Sequence, residues 1–318
     1  MNILKITLIV TLLGLSCKKR NVHGLVEKGC LLWVDGLMGD SLIKKAVHET
    51  IINSTLIVAQ VPWEVNSKSH LDNIFWYAAL ASDHGKSLMI NLDWQLNDRS
   101  GVRGNWKFSD KETSKQFRKN VLDIVRKYKP KYLTLGVEVN YYAVTEPNDY
   151  GAFIRQFNLL KDQIKLVNPS TRVGLSFQLD LLYGNHKSWH PNNSIQTLEA
   201  IVENLDFIGL SSYPKYSTLD ELELPSRLSY IDSIGNTFKV PYGIIETGIA
   251  NEDSTNRIGF FKDLKEISQT NSLEFLIYGS MIDNANHNGW ENKIGLLSSN
   301  GESKYGYNIW SSIKTTIK

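Results

Sequence analysis

The sequence predicts a (β/α)8 TIM barrel of the α/β class, built as a single domain. Three observations predict it. Short apolar runs rich in β-branched and aromatic residues alternate with amphipathic stretches from residue 29 onward, in eight pairs. The apolar runs are continuous rather than alternating with polar residues, the pattern of strands covered on both faces. No break in composition divides the 318 residues, a length that α/β barrels fill as one domain. An open doubly wound sheet is the rival arrangement. It has no support from a glycine-rich phosphate turn, because neither G-x-G-x-x-G nor G-x-x-x-x-G-K-[ST] occurs.

The strand candidates are 30–36, 56–63, 87–94, 132–140, 172–180, 206–213, 242–248 and 274–281. Each has the length and residue types of a buried strand. Helical patterns follow them in turn. Residues 40–53 follow the first run, and 69–85 follow the second and close at Gly85. Residues 109–130 follow the third; Ser109 and Glu112 stand at capping-box spacing and Pro130 ends the pattern. Helical stretches at 150–169, 194–205, 226–235 and 257–268 follow the next four, and 305–318 closes the chain.

The N-terminus is a different kind of segment. "MNILKITLIVTLLGLSC" places one lysine before a short apolar run, then small residues before Cys17. The run fits the core of an export signal and is short for a bilayer span. It resembles a bacterial lipoprotein signal, with Gly14 where a leucine is usual. That resemblance implies lipidation of Cys17, a signal at 1–17, a short tether at 18–27, a barrel over 28–318 and a lipid-anchored place in the cell envelope. An ordinary secretory signal is the alternative. Cys30 then remains alone in an apolar run, as a buried inert thiol.

Composition excludes several classes of partner. Apolar residues make up 42% and charged residues 21%, and 35 basic against 33 acidic residues leave a net charge of +2. That balance gives no reason for nucleic acid or an acidic partner. Beyond lipidation no membrane contact is expected, and the chain reads as a monomer. The histidines form no H-E-x-x-H; His186 and His190 lie four apart in an Asn-rich loop that reads as solvated, so no metal is expected. No cofactor is implied, and the absence of G-x-S-x-G removes support for acyl transfer.

In barrels of this kind active sites lie at the C-terminal strand ends. Polar residues collect there: Asp35, Trp63 with Glu64, Asp93 with Trp94, Glu138 with Asn140, Gln178 with Asp180, Tyr213, Glu246, and Asp283 with Asn284. Glu138 in "YLTLGVEVNYY" and Glu246 in "PYGIIETGI" stand out, because apolar residues directly precede them. Each leaves the packed barrel at its rim, partly desolvated, where the pKa values of paired carboxylates separate. Two carboxylates across a cleft are what glycoside hydrolysis needs. One protonates the leaving oxygen and the other attacks the anomeric carbon or activates water.

At these residues the chain resembles glycoside hydrolase clan A over roughly residues 28–312. "LGVEVNYY" is similar to the clan's fourth-strand motif, "IIETGI" to its seventh, "DFIGLSSYP" to its sixth and "GLLSSNGESKYGYNIW" to its tail. The resemblance implies a retaining hydrolase of a β-linked glycan, with Glu138 as acid/base, Glu246 as nucleophile and Tyr213 bonded to the nucleophile. It is closest to the galactanase-like family 53 and to endo-mannanase or cellulase families. One departure is Val137, where the clan usually has the asparagine that binds the sugar 2-hydroxyl. Strand periodicity places Asn140 on the face of Glu138 as a substitute. Val137 also keeps a second reading open, a glycan-binding surface lipoprotein on an inactive barrel.

Trp33, Trp63 and Trp94 fall at or near strand ends, and Trp106, Trp189 and Trp290 fall in loops. Indole faces suit the C–H faces of sugars, so at least two are expected as platforms. Asp35, Trp63, Asp93, Trp94, Asn140, Gln178 and Asp283 are the expected substrate contacts.

Overall fold

The computed structural model describes residues 26–33, 38–64, 69–184, 194–213, 224–250, 254–270, 273–284 and 293–315. Eight parallel strands close into a barrel in chain order: β1 (Glu27–Cys30), β2 (Leu56–Pro62), β3 (Ser87–Asp93), β4 (Tyr132–Thr134), β5 (Arg172–Gln178), β6 (Phe207–Ser212), β7 (Tyr242–Thr247) and β8 (Phe275–Tyr278). The closing seam pairs β1 with β8, Gly29 opposite Ile277. Helices surround the strands: α1 (Asp40–Asn53), α2 (Ser69–Asp83), α3 (Lys111–Tyr128), α4 (Val139–Thr145), α5 (Pro147–Val167), α6 (Leu179–Leu182), α7 (Ile195–Glu199), α8 (Leu224–Phe238), α9 (Ser254–Thr270) and α10 (Tyr307–Ser311).

The continuous apolar strands divide by alternation into two cores. Leu31, Leu56, Val58, Met89, Tyr132, Phe207, Ile245, Phe275 and Ile277 cluster together as the barrel filling. Their outward neighbours, such as Ile57, Ile90, Leu133, Val173 and Leu210, join the larger core with the helices. Gly174 and Gly243 make room for this filling. A Cβ on Gly174 would stand 2.4 Å from the Phe207 carbonyl oxygen, and one on Gly243 would stand 2.5 Å from the Phe275 ring. The bottom of the barrel is tied across the chain. Buried Lys28 donates to the carbonyls of Trp310 at 2.9 Å and Ile313 at 3.4 Å, while Glu27 accepts from Ser87 and Lys131. Burial lowers Lys28 to about 8. Cys30 is a buried free thiol, and burial pushes it up.

Several element boundaries differ from those the sequence predicts. The first strand runs 27–30 rather than 30–36, and Val26 already bridges Thr315. The fourth strand ends at Thr134, not at 140. The apolar run "VEVNYY" continues into α4, a helix buried at Val139, Asn140, Tyr141 and Tyr142. Short apolar runs look alike as strand or buried helix, and here the second half is helix. At α3 the capping residue is Asp110, whose carboxylate accepts from the Thr113 amide at 2.8 Å. Ser109 instead donates its amide to Asp149. Lys129 at φ 44° closes this helix ahead of Pro130.

Candidate active site

Beyond Thr134 the chain still pairs with β5, through Leu135 N–H to Gly174 O and Ser176 N–H to Gly136 O, both at 3.0 Å. It then turns at Glu138, which lies in the left-handed region at φ 50°, ψ 48°. A glutamate there is strained, of order 1–3 kcal/mol, and needs its surroundings to hold it. They do. Its amide donates to Ser176 Oγ at 2.7 Å, and Gln95 Nε2 donates to the carbonyls of Val137 at 2.6 Å and Glu138 at 3.2 Å. This turn, rather than strand alternation, aims the carboxylate into the mouth. Oε2 accepts from Arg99 Nε at 2.9 Å, and Oε1 accepts from the Ser211 hydroxyl.

Glu246 reaches the same mouth by another irregularity. Leu210 pairs with Ile244, but Ser211 pairs with Glu246, so β7 carries one extra residue at Ile245. Ile245 faces the barrel filling, and by alternation its neighbour would face the helices. The bulge turns Glu246 inward beside Ser211. There the Tyr213 hydroxyl donates to Glu246 Oε1. Burial first, and then the charge of Glu138, push Glu246 up to about 7. Burial and the neighbouring Glu246 raise Tyr213 well above its ordinary value, so it stays a neutral donor.

Arg99 links Glu138 to Asp93. Its Nη1 meets both Asp93 oxygens, at 2.8 and 2.9 Å, while Nε holds Glu138. Burial works against its charge, but Asp93 and Glu138 more than offset this and hold the guanidinium above its ordinary value. Its backbone is left-handed at φ 61°, on the turn between Gln95 and Val102. Sequence reasoning missed Arg99, because nothing in "LNDRSG" distinguishes it from any loop arginine. Ser176 and Ser211 were also missed. Their signal was present, as lone hydroxyls at inward positions of apolar strands.

The mouth therefore gathers Asp93, Arg99, Glu138, Ser211, Tyr213 and Glu246, four of which the sequence singled out. Other expected contacts are corrected. Asn140 lies on a helix, 0% exposed, and its amide is spent on the Gln178 backbone: Nδ2 donates to Gln178 O and Oδ1 accepts from Gln178 N–H, both at 2.9 Å. Gln178 caps α6, accepting from Leu181 N–H at 2.6 Å and donating to Asp180. Trp63 and Trp94 are core residues, 1% and 0% exposed, stacked edge-on with Trp106, Phe117, Phe108 and Tyr142. Trp106 belongs to the same aromatic cluster. Asp283 braces the tail, accepting from the Gly295 amide and from Lys304, both at 2.7 Å. Asp35, Trp189, Trp290, His186, His190 and Cys17 lie outside the described residues. Among the described residues no three His, Cys, Asp or Glu side chains group as a metal site.

The state of Glu246 has a consequence for stability. A carboxyl raised in the folded protein binds its proton more tightly there than in the unfolded chain, so stability falls as pH rises from about 4.5 to about 7. The cost at pH 8 is roughly 3 kcal/mol. Glu246→Gln is expected to match the wild type in urea titrations at pH 4 and to exceed it increasingly up to pH 8. A constant difference across that range would contradict the buried, proton-holding state.

A scan against protein-family models and a search of curated proteins found no match to this sequence. Solved structures do match. An exo-β-1,4-mannosidase from Opitutaceae bacterium strain TAV5 superposes with TM-score 0.67 at 12% identity, over 91% of this chain and 58% of the mannosidase. A β-glucosidase from Thermotoga maritima in complex with castanospermine gives 0.61 at 12% identity, over 91% and 97%. A family 17 β-1,3-glucanosyltransferase from Rhizomucor miehei gives 0.60 at 16%, over 89% and 96%. The chain shares its fold with glycosidases. At these identities the likeness is one of fold, and this chain spans less than two thirds of the mannosidase. What the mouth does is argued from its own residues.

Proposed function

We propose that the protein is a retaining glycoside hydrolase acting on a β-linked poly- or oligosaccharide. The observation that carries this reading is the pair of buried glutamates, Glu138 after β4 and Glu246 on β7, turned into one mouth by two separate backbone irregularities. Strain kept at one carboxylate and a bulge kept at the other favour a use for both. The glycosidase neighbours support the same direction. In this reading Glu138 protonates the leaving oxygen and later activates water, Glu246 attacks the anomeric carbon, and Tyr213 orients Glu246. The sugar belongs to the galactan, mannan or glucan class that the clan A and family 53 resemblance implies. We further propose export and lipid anchoring through Cys17 at the cell envelope, and a monomer.

The second reading is a barrel that binds glycans without cutting them. Two observations favour it: Val137 offers no polar side chain for the 2-hydroxyl, and Asn140 is committed to Gln178. The deciding experiment is reducing-sugar release by the purified protein from β-galactan, β-mannan, β-glucan and xylan, with Glu246→Gln beside it. Release by the wild type alone supports the hydrolase. Equal release by the variant removes Glu246 as nucleophile. Glycan binding without release supports the binding module.

A further inference from the structure

The groups gathered in the mouth come from β3 to β7 and from the turn after β3. Strand alternation shows what faces the remaining arc. Leu31 at the end of β1, Val58 on β2, Met89 on β3 and Tyr132 on β4 all belong to the barrel filling. The residues two further on face inward as well: Trp33, Gln60, Asn91 and Thr134. Strand register sets three of them in a row, Gln60 opposite Asn91 and Asn91 opposite Thr134. Trp33 is partly buried and packs directly on the barrel filling.

This row holds polar groups with no partner. Asn91 is 1% exposed and Thr134 0% exposed, yet neither Nδ2 nor Oδ1 of Asn91, nor Oγ1 of Thr134, makes a hydrogen bond. Such groups are rare in folded proteins, because each has given up its bonds to water and gained none. Asp93, the next inward residue on β3, is already spent on Arg99. Closed to solvent, Asn91 gains a partner only from a side chain beside it. Gln60 is that neighbour, and it alone in the row is half-buried rather than buried. A glutamine amide has two donors and an acceptor, enough to bond Asn91 along one edge and a ligand hydroxyl along the other.

Trp33 supplies the apolar half. Of the three tryptophans at strand ends, Trp63 and Trp94 are sunk in the core, whereas Trp33 keeps part of its surface over the barrel filling. An indole face and an uncharged amide suit the C–H face and the hydroxyls of a neutral sugar. A uronate would call for a cation, and Arg99 is committed to Asp93 and Glu138.

We propose that Trp33 and Gln60 form the subsite that holds a neutral pyranose ring of the glycan, with Asn91 as the residue that positions the Gln60 amide. The choice of a glycan rests on the hydrolase reading. The uncommitted amide of Asn91 is a property of the free protein and is measured without any sugar.

The experiment pairs calorimetric titration with urea unfolding. The parent protein is Glu246→Gln, and the probes are β-1,4-linked hexasaccharides of glucose, mannose and galactose. Adding Trp33→Ala or Gln60→Leu is expected to weaken binding by about tenfold, the worth of one ring contact or one hydrogen-bonded amide. Asn91→Leu keeps the size of the side chain and removes groups that had no partner. It is expected to be at least as stable as the parent and still to bind about fivefold more weakly. Should Trp33→Ala fail to fold, Gln60→Leu, at a half-buried position, carries the binding test. Parent-like binding by folded Trp33→Ala and Gln60→Leu overturns the subsite and leaves the hydrolase reading standing. A loss of stability in Asn91→Leu, or parent-like binding by it, removes Asn91 from its positioning role. Weakened binding in the variants with no sugar release by the wild type supports the subsite and counts against the hydrolase reading alone. A parent that binds none of the three probes overturns the subsite.

Discussion

Glu138→Gln is expected to lower turnover on a natural glycan by about 10²–10⁴-fold, the usual contribution of a positioned general acid. The loss should depend on the leaving group. In the proposed reaction a glycan leaving as an alkoxide takes its proton from Glu138, whereas an activated aryl glycoside leaves as a stable phenolate and needs none. With the aryl substrate the first step should survive, and enzyme should accumulate as a covalent intermediate, because the same variant lacks the base that activates water. Rapid-mixing kinetics would show a burst of phenolate followed by slow turnover. Equal loss on both substrates would remove Glu138 as acid/base. The substitution leaves room for the residue's backbone role, since the Ser176 and Gln95 contacts that hold the turn are made by the main chain of Glu138 and Val137.

Trp94→Ala is expected to destabilise the protein by about 3–5 kcal/mol, the range for removing a large buried aromatic ring. The ring is wholly buried, packs edge-on against Phe108 and Tyr142, and donates Nε1–H to Leu135 O at 2.9 Å. That carbonyl lies in the segment leading to Glu138, so the same substitution should loosen the turn. Trp94→Phe keeps most of the volume and leaves Leu135 O without its donor, at a cost of about 1–3 kcal/mol. Urea unfolding measures both. Unchanged stability with weakened glycan binding would restore Trp94 to the role of sugar platform.

These two residues mark the limit of what the sequence conveys. Glu138 and Trp94 both follow apolar strands at their C-terminal ends, and alternation alone treats them alike. The glutamate was legible because a carboxylate in an apolar run is costly to bury and so needs a reason. The tryptophan was not, because an indole suits a core and a wet cleft equally well. Asn140 shows the same limit from the other side. Its placement beside Glu138 assumed that the strand continued, and the left-handed turn at Glu138 starts a helix instead.

The sequence by itself determined the eight strand and helix units, their order and the single barrel, because each depends on local periodicity and on burying apolar faces. It also placed Glu138, Tyr213 and Glu246 at or just beyond the C-terminal ends of the fourth, sixth and seventh strands. Tertiary structure alone decided how they are used. Arg99 meets Glu138 across 39 positions, Ser211 meets Glu138 across 73, and Tyr213 meets Glu246 across 33. Such partners share no local pattern. They are set by strand register, by the bulge at Ile245 that turns Glu246 inward, and by the exclusion of water that makes each charge depend on its neighbours.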